Sequence, residues 1–176
     1  MDASILNYSV NDNVAEFLTK TKQLYINGKW VDSKSGKTFD VEDPATGKKI
    51  ATCSAGGEED INLAVSAARK AFDSGTWGKI PPNERGKIIW KIGDLIDERT
   101  EELAQLESLD NGKPVAIAGA ADVALSSDIF RYMAGWATKI EGETIPISVP
   151  YTPGAQYHSY TLREPVGVVG QIIPWN

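Results

Sequence analysis

The stretch Val166–Ile173, Val-Gly-Val-Val-Gly-Gln-Ile-Ile, constrains this chain more than any other. It is a near-continuous apolar run with two glycines. Such a strand needs cover on both faces and parallel partners on its edges. Pro174 follows, and a proline cannot donate to a ladder, so the strand is expected to end there. In open α/β sheets the ligand crevice lies beyond the carboxyl ends of the strands. Pro174, Trp175 and Asn176 therefore fall where chemistry is expected. The 176 residues are accordingly expected to hold only part of a larger functional unit.

Bulk properties narrow the classes. A net charge of −6, with no Lys/Arg cluster, argues against a nucleic-acid partner, which would favour a basic face. Cys53 is the only cysteine, so no intramolecular disulfide can form, which fits a reducing compartment. The first 22 residues lack the basic and apolar regions of a signal peptide. No apolar run reaches membrane-spanning length. The expected location is the cytoplasm, with no membrane partner.

Local signals divide the chain. Residues 1–22 read as a loosely attached arm with a helical turn around Val14–Leu18. Leu24-Tyr-Ile26 and Lys29-Trp-Val31 flank Asn27-Gly28, a two-residue hairpin signal. Asp43-Pro-Ala-Thr-Gly47 is a turn between a second pair of extended runs. Glu58, Glu59 and Asp60 suit the first turn of a helix that buries Ile61, Ala64, Val65, Ala68 and Phe72 and stops at Gly75. A second helix follows Pro81-Pro82-Asn83, with Ile88, Ile92, Leu95 and Ile96 inward. Thr100 reads as the N-cap of a third, which stops at Asn111-Gly112-Lys113-Pro114. A long helix is predicted from Val115 to Ile140, burying Ile129, Met133, Trp136, Ala137 and Ile140. Beyond Gly142, two extended segments surround Pro153-Gly154.

Several words in this order resemble the aldehyde dehydrogenase superfamily. They are Tyr25-Ile-Asn-Gly-Lys-Trp30, Asp43-Pro-Ala-Thr-Gly47, Leu109-Asp-Asn-Gly-Lys-Pro114, Tyr132-Met-Ala-Gly-Trp136, Glu143-Thr-Ile-Pro146, Arg163-Glu-Pro-Val-Gly167 and Gln171-Ile-Ile-Pro-Trp-Asn176. The resemblance covers residues 24–176. It implies an α/β chain, the N-terminal and incomplete part of a fold with a Rossmann-like cofactor domain and a β-ribbon oligomerisation arm. The implied divisions are an N-terminal arm at 1–22, a first cofactor-domain segment at 23–143, the ribbon at 144–163, and the first strand of a second cofactor-domain segment at 164–176. The implied activity is oxidation of an aldehyde to a carboxylic acid with NAD, or NADP, as acceptor, in a homo-oligomer when full length.

The resemblance also implies roles. Asn176 matches an asparagine whose amide helps hold the developing oxyanion. Ile172, Ile173, Pro174 and Trp175 match a segment that contacts the cofactor. Val41, through its backbone, and Asp110 match a cation site found in some members. The family's nucleophilic cysteine, general-base glutamate and glycine-bearing cofactor helix lie downstream of the Pro-Trp-Asn word, so the isolated chain is expected to be inactive. A truncated, non-catalytic product acting only through subunit association is the alternative. From the residues alone the plainer readings are favoured: Asn176 as a polar loop residue capping a helix, Asp110 as a helix-end or turn residue, Cys53 as a small core or strand residue and His158 as an interfacial strand residue. No G-x-G-x-x-G occurs, so nothing in the sequence announces a pyrophosphate cradle.

Overall fold

The computed structural model describes residues 9–173. Its first element, α1 (Asp12–Thr19), is capped by Asn11, whose side chain accepts from the Asn13 N–H at 2.8 Å. The backbone N–H of Asn11 donates to Gln105 Oε1 at 2.7 Å. Val14 is fully buried and Leu18 nearly so. The described part of the N-terminal arm is therefore an anchored core helix. Its two buried residues, one turn apart, supply a packing stripe that the expectation of a loose arm undervalued.

Two antiparallel ribbons form as the turn signals predict. β1 (Leu24–Ile26) pairs with β2 (Lys29–Val31), and β3 (Thr38–Asp43) with β4 (Lys48–Ser54). Asp43 organises the second turn. Its carboxylate accepts from the Ala45 N–H at 2.8 Å and from the Thr46 hydroxyl at 2.9 Å, and it is almost completely buried. Ile50 and Ala51 of β4 join Val14, Leu18 and Leu109 in one core cluster.

The helices begin and end close to their predicted signals: α2 (Glu58–Ser74), α3 (Pro82–Asp97) and α4 (Thr100–Asn111). Asp60 closes α2 at its start, accepting from the N–H groups of Gly57 at 2.9 Å and Lys34 at 3.0 Å. Arg99, not Thr100, occupies the N-cap of α4; the Thr100 hydroxyl instead donates to the Asp97 carbonyl at 2.9 Å.

The predicted helix 115–140 is three pieces: α5 (Val115–Ile117), a π-helical segment (Ala118–Val123) and α6 (Ala124–Trp136). The π segment adds a residue to the turn and shifts the phase of α6 behind it. The buried residues are Ala118, Val123, Ser127 and Ala134, while Ile129, Met133, Trp136 and Ile140 are exposed and Ala137 is half-buried. The cause lies in α3. A side chain at Gly93 would stand 3.0 Å from the Ser127 carbonyl, and one at Gly86 the same distance from the Ala134 carbonyl. The two helices meet on small residues at close range. Their large apolar residues point elsewhere, so Ile88, Ile92 and Leu95 are also exposed, against expectation. The same holds for Ile61, Val65 and Phe72 of α2.

Beyond residue 140 regular structure thins out. The chain doubles back once, with Thr144 bridging Tyr160 and the Ile145 N–H donating to the Ser159 carbonyl at 2.8 Å. No ladder forms over 144–163 beyond this bridge, and no strand forms over 166–173. The predicted strand has no neighbour to pair with among the described residues, and Val166 and Ile172 are 94% and 100% exposed.

Candidate functional site

An open, mostly apolar pocket of about 510 Å³ lies between α1, β3–β4, α4 and the π segment leading into α6. Phe17, Leu18, Ile50, Leu103, Leu106 and Leu109 supply its apolar wall, and Lys22, Glu107, Asp110 and Asp122 the charged groups around it. Val41 and Asp110, far apart in sequence, line this same space. Val41 is half-buried on β3, where the register shifts between Val41 and Glu42. Asp110 is exposed near the end of α4. Among the described residues no three His, Cys, Asp or Glu side chains converge in metal-holding geometry. One backbone carbonyl and one carboxylate fall short of the roughly six to eight oxygens a calcium-sized cation takes. Val41 and Asp110 share this lining, and that is the extent of their convergence among the described residues.

Cys53 lines the cavity from β4. Its segment forms a parallel bridge with Lys22, and the Lys22 ammonium lies 3.7 Å from the centre of the Phe17 ring. Burial pushes the Cys53 thiol up; Lys22 opposes that rise and Asp110 adds to it. Burial likewise lowers Lys22. A thiol held protonated is a poor nucleophile, which supports the reading of Cys53 as a small strand residue. His158 is exposed in the returning segment, with its ring 5.4 Å from that of Tyr160.

The remaining assigned residues lie at the other end of the chain. Ile172 and Ile173 are exposed and unpacked, and no glycine-rich phosphate loop accompanies them among the described residues. They do not form a dinucleotide pocket on their own. Pro174, Trp175 and Asn176 lie outside the described residues. The structure thus brings Val41 and Asp110 together and leaves Ile172 and Ile173 apart from them.

Sequence reasoning missed the polar junction that ties α3 to α6. Arg131 donates to Asp94 at 3.0 Å, to Asp97 at 2.6 Å and to the Ser127 hydroxyl at 2.6 Å. Ser127 and Arg131 together hold the Asp97 carboxyl below the usual range, and Asp94 and Asp97 raise the guanidinium. The signal was available: Asp94 and Asp97 stand three apart on one helix, and Ser127 and Arg131 four apart on the other.

Helices packed beside two small antiparallel ribbons, with a mostly exposed apolar segment over 166–173, define a mixed α/β protein. The chain belongs to the aldehyde dehydrogenase family, whose model matches residues 30–176. It is 51% identical over 154 residues to aldehyde dehydrogenase family 2 member B4 of Arabidopsis thaliana, a mitochondrial protein, covering 88% of this chain and 28% of that one. Aldehyde dehydrogenase 1 of Tanacetum cinerariifolium is 50% identical over 157 residues, with 89% of this chain and 30% of that one covered. Among solved structures, an NAD+ complex of an aldehyde dehydrogenase from Bacillus cereus superposes with a TM-score of 0.77 at 47% identity, over 81% of this chain and 29% of that one. The chain thus spans about a third of the length of the relatives it matches.

Proposed function

We propose that these residues are an N-terminal portion of an enzyme that oxidises an aldehyde to a carboxylic acid with NAD+ as acceptor. The match of residues 30–176 to the family carries this reading. The NAD+ bound by the Bacillus cereus structure supports the choice of cofactor. The large apolar residues on the outer faces of α2, α3 and α6 support it physically, because the remaining two-thirds of such a fold would cover them.

Within that enzyme, residues 23–143 and 164–176 serve as segments of the cofactor domain and 144–163 as the ribbon that joins subunits into a homo-oligomer. Ile172, Ile173, Pro174 and Trp175 line the nicotinamide cofactor's site when it is bound, and the cofactor accepts the hydride. Asn176 presents a neutral amide that can donate to a developing oxyanion without titrating. Val41 and Asp110 contribute two oxygen donors to a cation. The lone cysteine, which can form no intramolecular disulfide, favours a reducing compartment such as the cytoplasm.

The test is aldehyde-dependent NADH formation by these residues joined to the remaining length found in the relatives. Turnover is expected in the joined protein and none in residues 1–176 alone. Asn176→Ala in the joined protein should lower turnover by about 10²–10³-fold with cofactor affinity nearly unchanged. A joined protein that folds and binds NAD+ but oxidises no aldehyde would refute the activity. Wild-type turnover in the Asn176 variant would return that residue to the helix-cap reading.

A further inference from the structure

We propose that Asn27 is a site of spontaneous backbone rearrangement, and that it outpaces Asn111, which is also followed by glycine. In this reaction the backbone nitrogen of the next residue attacks the asparagine Cγ. A C–N bond forms, the Cγ–Nδ2 bond breaks, and the side-chain nitrogen leaves as ammonia with the proton released by the attacking amide. Water then opens the five-membered ring at either carbonyl, giving aspartate or its isoaspartyl isomer. Glycine after the asparagine leaves the attacking nitrogen unscreened by a Cβ.

The two sites differ in how they are held. Asn27 and Gly28 are exposed at the tip of the β1–β2 ribbon, with φ of 53° and 75°. Nothing lies within 4 Å of where a Gly28 Cβ would stand. Among the described residues no hydrogen bond restrains the Asn27 side chain. The attack requires the turn to relax, and a ribbon of three residue pairs opens at little cost. At Asn111 the amide donates to Glu107 at 2.9 Å and its oxygen accepts from the Lys113 N–H at 2.7 Å. Gly112 is packed against Pro44, and Leu109 two residues earlier is in the core. Opening there disturbs the core cluster.

The isoaspartyl product inserts one carbon into the backbone of a two-residue loop. That alters the closure of the Ile26↔Lys29 pair, next to the 4.8 Å contact of the Tyr25 and Trp30 rings.

The experiment is prolonged incubation of the native chain at mildly alkaline pH, followed by peptide mapping that separates aspartyl from isoaspartyl products. A parallel sample is kept in denaturant. In the native chain Asn27 should convert about tenfold or more faster than Asn111, because two side-chain hydrogen bonds restrain the competing amide. In denaturant the two rates should converge. Asn27→Gln should abolish conversion in its peptide, since the longer side chain would need a larger ring. The proposal is overturned if Asn111 converts as fast as Asn27 in the native chain, or if Asn27 stays intact there while the denatured sample converts.

Discussion

The ribbon at 38–54 and the segment at 144–173 are both rich in β-branched and aromatic residues, yet only the first builds a ladder. β3 and β4 are joined by a short turn that Asp43 holds shut, so closure is entropically cheap and local. α1 and α4 then cover one face of the ribbon with Val14, Leu18 and Leu109. Val166–Ile173 has no such recourse. A parallel partner needs a crossover of a dozen or more residues, usually a helix. No such partner is present among the described residues, and the run stays outside any strand and mostly exposed. Sequence pattern alone does not make a strand; a partner within reach does.

The largest effect should separate these regions most sharply. Leu109→Ala removes a side chain only 1% exposed from the core cluster. It should cost about 2–5 kcal/mol in urea unfolding. A loss below about 1 kcal/mol would mean that the cluster is loosely packed and that the two regions differ less than their burial suggests.

Next comes the α3–α6 crossing. Gly93→Ala places a methyl 3.0 Å from the Ser127 carbonyl and 3.1 Å from Arg131 Cγ. The expected cost is about 1–3 kcal/mol. Gly135→Ala meets only the Lys139 ammonium at 3.7 Å and should be neutral or stabilising, by up to about 1 kcal/mol, through helix propensity. Equal effects at the two glycines in thermal unfolding would show that the crossing is not governed by backbone approach.

Acid should weaken the same crossing and, separately, the start of α2. Asp97 is held low by Ser127 and Arg131, and Asp60 by the N–H groups of Gly57 and Lys34. A carboxylate depressed in the folded state contributes stability above its unfolded pKa of about 3.9. That contribution is lost as pH falls through the lower folded value. Stability should therefore decline below about pH 4, and Asp97→Asn should flatten part of the decline. An unchanged acid profile in that variant would remove Asp97 from the account.

Much of this architecture was legible because its signals are local. Asn27-Gly28, Pro82, Gly75 and Gly112 act within a few residues, and the elements start or stop beside them. The buried faces of the helices were not legible. Periodicity shows that Ile61, Val65 and Phe72 share a face of α2, but not what covers it, and here nothing described does. In α6 the rule that large apolar residues go inside chose the wrong side. Small residues at Ser127 and Ala134 meet Gly93 and Gly86, and that close approach decides the packing. For the site, the family words brought Val41 and Asp110 to one cavity, which spacing alone could not have joined. The role of Asn176 rests on those words, because the residue lies outside the described structure.

The smallest effect should come from the bare segment, where the comparison is most easily broken. Val169 is 63% exposed and belongs to no strand, so Val169→Thr should change unfolding free energy by no more than about 0.5 kcal/mol. Amide exchange across 166–173 should be close to that of an unstructured peptide, while amides of β4 and α4 are protected toward the global limit. Self-association offers one route to order here, since an unpaired apolar run can pair with its copy in another chain. Protection over 166–173 that grows with protein concentration would therefore keep the argument intact and locate the pairing between chains. Strong protection that does not depend on concentration would break it. That result would mean these residues find an intramolecular partner in solution, and that the contrast with the β3–β4 ribbon is one of degree.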